Sequence, residues 1–142
     1  MKYRKLKQWK YQLTEQFETQ LGFLPFKNYE TEFIIFRMDG KLILKKYYAW
    51  DGASGPCPDV RQVMIGSLVH DALYQLIRLE LLPRYNRKFA DLELKKFCFR
   101  AGMNRCLAEL IYWGVRVFAR KGARPRPITP ICEIKEERHY EK

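Results

Sequence analysis

Apolar positions change their spacing twice along this chain, and the changes mark its elements. Residues 1–22 carry Tyr3, Leu6, Trp9, Leu13, Phe17 and Leu21 at intervals of three and four, which predicts an amphipathic N-terminal helix. Lys2, Arg4, Lys5, Lys7 and Lys10 crowd its first turns, where they oppose the helix macrodipole. Over 23–49 the pattern turns β-like. Thr31–Met38 and Lys41–Tyr48 are rich in branched and aromatic residues, and Asp39-Gly40 between them suits a two-residue hairpin turn. Beyond Trp50 the helical period returns. Val63, Leu68, Ala72, Leu76 and Leu79 stripe a helix over about 60–80, with Asp59 as its candidate cap. Pro83 breaks the pattern, and a second helix over about 86–100 carries Asp91, Leu94, Phe97 and Cys98.

A third helix over about 104–119 is apolar almost all round, through Leu107, Leu110, Ile111, Trp113, Val115, Val117 and Phe118. Such a helix belongs in a core. Its Arg116 must either snorkel or pair with a buried acid. From Arg120 the chain is basic, proline-bearing and aperiodic, which predicts an extended C-terminal arm over 120–142. The expected fold is α+β: one globular domain, 1–119, with an N-terminal helix, a β-hairpin and a helical bundle over 50–119.

Composition narrows the function classes. With 142 residues, 47% hydrophobic and 15% aromatic, the chain can bury a core. Its net charge of +11 attracts phosphate-bearing partners, nucleic acid or an anionic membrane, without choosing between them or a merely solubilising surface. Cys57, Cys98, Cys106 and Cys132 form no CxxC pair and have no histidine at metal spacing, which argues against a zinc site. The basic N-terminus lacks the apolar stretch of a signal peptide, and no run of about 18 apolar residues could span a bilayer. These features predict a protein made in a reducing cytoplasm.

The candidate chemistry lies between Trp50 and Asp91. Glycines at 52 and 55 let carbonyls of the Trp50–Ser54 loop turn inward together. With the Asp71 carboxylate they supply the hard oxygens that calcium prefers, making Trp50, Asp51, Gly52 and Asp71 candidate ligands. His70 beside it could take a proton from water, Asp91 could orient the imidazole, and the ion would stabilise a developing oxyanion. Against this stand blander readings: a core histidine, and an Asp-Gly pair that is only a turn.

Asp51-Gly52-Ala53-Ser54, then His70-Asp71-x-Leu73-Tyr74, then Ala90-Asp91 resembles an uncharacterised family of tailed bacteriophages and prophages, over about residues 23–120. More distantly, the same residues are similar to secreted phospholipases A2, above all the bacterial ones. Those have a calcium loop reading Asp-Gly-Cys-Ser, a helix reading Cys-x-x-His-Asp-x-x-Tyr, and a later aspartate on an antiparallel helix. Tyr112–Phe118 is similar to their closing helix. The resemblance implies a phospholipase-like bundle of about three helices, with His70 as general base, Asp71 as calcium ligand, Asp91 as the support of His70, and Tyr74 as a hydrogen-bonding scaffold. It also implies His70 and Asp91 within hydrogen-bond reach. Ala53 and Ser67 replace the two cysteines that brace the loop in those enzymes. Three functions follow as expectations: a virion-associated structural or binding protein whose partners are other phage structural proteins; a calcium-dependent esterase of the host envelope; and nucleic-acid binding through the basic ends.

Overall fold

A computed structural model describes residues 1–6, 11–53 and 60–125. Seven short strands precede three α-helices among these residues. β1 (Tyr3–Lys5), β2 (Tyr11–Leu13) and β7 (Ala49–Trp50) form one antiparallel sheet in the order β1-β2-β7. β3 (Phe17–Gln20), β4 (Tyr29–Glu30), β5 (Ile34–Phe36) and β6 (Lys41–Leu44) form a second, in the order β3-β6-β5-β4. The helices are α1 (Arg61–Arg78), α2 (Arg87–Arg100) and α3 (Arg105–Phe118). The architecture is thus mixed α+β, and no described helix is long and apolar enough to cross a membrane.

The expected N-terminal helix is replaced by β1, β2 and β3. An interval of three or four also places one or two apolar residues on each of several short strands, and here tertiary pairing decides. Phe17 lies opposite Leu44, and Tyr11 opposite Trp50. Tyr3, Tyr11 and Trp50 then stack edge-on and tilted, with centroids 5.4–5.6 Å apart, a gain that a solvent-facing helix would forgo. Strands also avoid gathering the lysines at a positive helix end. Trp9 lies outside the described residues.

The β5–β6 hairpin forms, but with a three-residue loop. Gly40 N–H donates to the Arg37 carbonyl, and Arg37 and Lys41 close the ladder at 2.9 Å. Gly40 adopts φ 82°, so the glycine ends a longer turn rather than sitting in a two-residue one. Alternation fixes the buried face, with Ile34, Phe36, Leu42 and Leu44 fully inward. These pack with Leu13 and Trp50 against Leu68, Leu73 and Leu76 of α1.

α1 and α2 approach closely at Gly66. A Cβ there would lie 3.0 Å from the Leu94 carbonyl oxygen and 2.8 Å from a Leu94 methyl. The helices run antiparallel from this contact, so His70, one turn on, meets Asp91. A smaller core of Val63, Leu94, Cys98, Met103, Ala108, Ile111 and Val115 joins α3 to them. α3 is not buried all round: Leu110, Trp113 and Phe118 are 68%, 61% and 66% exposed. Apolarity on every side of a helix does not reveal which half the fold covers. The first residues of the expected arm are packed on the domain instead of extended. Ala119–Ala123 form a 3-10 turn, Ala123 is buried, and Arg78 Nη1 donates to the Gly122 carbonyl at 2.9 Å. Residues 126–142 lie outside the described ones.

Candidate functional site: a buried histidine–aspartate centre

The centre is built on one face of α1 and one of α2. His70 and Tyr74, four residues apart, stack with ring centroids 4.0 Å apart. Facing them is Asp91, which is wholly buried. Its Oδ1 lies 2.9 Å from His70 Nε2 and accepts from the Tyr74 hydroxyl at 2.7 Å. Its Oδ2 accepts from Arg116 Nη1 at 2.8 Å and lies 3.9 Å from Arg87 Nε. The antiparallel register expected from the motifs therefore brings His70, Tyr74 and Asp91 together. Arg116 of α3 pairs with the buried acid.

Electrostatics follow from this enclosure. Burial alone would push the His70 pKa down, but the carboxylates of Asp71 and Asp91 outweigh it and hold the imidazole above its usual range. Burial likewise works against the Asp91 charge, yet His70, Tyr74 and Arg116 hold its carboxyl below the ordinary value. Tyr74 is pushed up, first by burial and then by the Asp91 charge. The centre is a paired charge cluster, and no buried side-chain nitrogen or oxygen in it lacks a partner.

Asp71 sits at the rim, with its side chain 19% exposed. Its Oδ2 accepts the Asp51 N–H at 3.3 Å, and its Oδ1 lies 3.6 Å from His70 Nδ1, within ion-pair range. Asp51 and Asp71 share an open cleft of about 660 Å³ with Trp50, Tyr74, Gln75 and Arg78. His70 is not in its wall. Trp50 is buried, and its indole N–H donates to Ser67 Oγ at 3.3 Å. Ser67 in turn donates to the Met64 carbonyl at 3.0 Å. Gly52 adopts φ 82°, while Ser54, Cys57 and Asp59 lie outside the described residues.

A calcium site would need oxygens converging on Asp71. The described contacts of that carboxylate are the Asp51 N–H and the His70 ring, and no group of three or more His, Cys, Asp or Glu that could hold a metal occurs among the described residues.

Two participants carried signals that periodicity did not reveal. Arg87 donates to the Tyr74 hydroxyl at 3.0 Å, to the Val115 carbonyl at 3.3 Å and to the Arg116 carbonyl, so it clasps α1, α2 and α3 together. Its position four residues before Asp91 was the available clue. Buried Glu93 accepts the Gly22 N–H at 3.0 Å and pairs with Lys96, tying the exit of β3 to α2. No protein-family model, curated protein or solved structure matches this chain.

Proposed function

We propose that the chain is a structural or binding component of a bacteriophage virion, in which a phospholipase-like helix pair serves as a scaffold. The phage assignment rests on the motif resemblance. The non-catalytic role rests on one observation: His70 is 1% exposed, with a carboxylate facing each ring nitrogen. A general base must be neutral and within reach of the proton it removes. An imidazole held between two acids and closed from solvent is suited to being an internal cation. Asp71 then acts as an anchor, holding the Asp51 N–H where the two absent cysteines would have braced the loop. Trp50 and Ser67 supply a second non-covalent tie at the same place.

A second reading, a calcium-dependent phospholipase A2-like esterase, is favoured by the side of His70 that faces Asp71 and by the cleft opening beside that carboxylate. Two measurements separate the readings. Mass spectrometry of purified virions should find the chain at a fixed copy number, and its absence would overturn the virion role. Incubation with ester phospholipid and calcium should release no fatty acid. Release that is abolished by His70→Asn, with the fold retained, would establish the esterase.

A further inference from the structure

The solvent side of α3 is apolar where a helix surface is normally polar. Leu107, Leu110, Trp113, Val117 and Phe118 are all exposed, and they cover one side of the helix over about three turns. At the middle of this side stands Gly114, where an added Cβ would meet nothing within 4 Å. Nothing among the described residues requires that glycine, and glycine weakens a helix interior relative to alanine. A bare backbone in the centre of an apolar helix side is what close approach of another helix uses.

Charge along one edge of α3 selects the partner. Glu109 is the only acidic residue of the helix, and Arg120 stands just past its other end, in the 3-10 turn that follows Phe118. Glu109 precedes Gly114 by five residues and Arg120 follows it by six. A two-fold axis at Gly114, relating antiparallel helices, therefore brings each Glu109 close to the level of the Arg120 of the other copy. Glu109 already holds Lys95 at 2.8 Å, and its second oxygen is available to such a neighbour.

We propose that a second copy of this chain packs on the exposed side of α3, antiparallel and crossing at Gly114. This is an isologous contact, self-complementary by symmetry. The five side chains present on the order of 500 Å² per copy, so the pair removes roughly 1,000 Å², the low end for a specific interface. Association is accordingly expected at about 1–100 µM rather than at nanomolar concentration.

The test is sedimentation equilibrium of the full chain in buffered salt. The wild-type mass should rise from 17.1 kDa towards twice that value with concentration. Gly114→Leu fills open space in the single chain and should leave its melting unharmed, while weakening association by roughly tenfold or more. Glu109→Arg should weaken it too, and adding Arg120→Glu should restore it. A chain that stays at 17.1 kDa across this range overturns the proposal. So does a dimer indifferent to Gly114→Leu, or a charge exchange that fails to rescue. A monomer that instead binds anionic phospholipid vesicles through Trp113 would assign the surface to a membrane.

Discussion

Replacing Asp91 with asparagine removes one negative charge and leaves the shape nearly unchanged. In the wild type that carboxylate accepts from Tyr74 and Arg116, lies 2.9 Å from His70 and lies within ion-pair range of Arg87. The substitution leaves the buried His70 ring and two guanidinium groups facing a neutral amide, whose NH₂ turns a donor towards donors. Breaking a buried ion pair from one side typically costs about 3–5 kcal/mol. Arg116 keeps some access to water, its side chain being 28% exposed, and His70 can release its proton, so a loss of about 3 kcal/mol is expected. For a chain of this size that lowers the melting temperature by about 10 °C. Urea unfolding followed by circular dichroism measures it directly, with an unchanged slope showing that only stability moved. A loss under about 1 kcal/mol, the scale of an ordinary hydrogen bond, would refute the idea that this centre clamps the three helices.

The pH dependence should have two flanks. His70 has a raised pKa, so its contribution is complete below the ordinary imidazole value of 6.5 and fades as pH climbs through the folded-state value. Asp91 has a lowered one, so its contribution is present above 3.8 and fades as pH falls through the folded-state value. Urea midpoints should therefore peak between those two values, and His70→Asn should flatten the alkaline flank; stability gained by the wild type, relative to that variant, between pH 6 and 9 would contradict the assignment. Ser67→Ala leaves the buried Trp50 N–H without its acceptor and should cost about 1–2 kcal/mol, read as a shifted denaturation midpoint. An unchanged midpoint would mean the tie between β7 and α1 is dispensable.

The helical half of the fold was legible because its signals are local. A sustained 3.6 period and the Pro83 break place α1 and α2 within a residue or two of where they lie. The spacing of His70, Tyr74 and Asp91 forces their meeting once the helices fold back. The N-terminal quarter misled for the opposite reason. Tyr11 and Phe17 are strand residues because Trp50 and Leu44 pair with them, partners more than twenty-five residues away that no local period reports. α3 carried the right period but not the knowledge of which half is covered. Arg87 and Ser67 act through hydrogen bonds whose partners only the folded chain supplies.

Calorimetric titration with calcium, on the wild type and on Asp71→Asn, tests the central claim most directly. A scaffold in which Asp71 anchors the Asp51 N–H should give no saturable heat, and calcium should not move the wild-type melting temperature. Asp71→Asn should lower stability by about 1–3 kcal/mol, with or without the ion. Saturable binding by the wild type that disappears in Asp71→Asn, with a calcium-dependent rise in wild-type melting, would contradict the scaffold and establish the ion site.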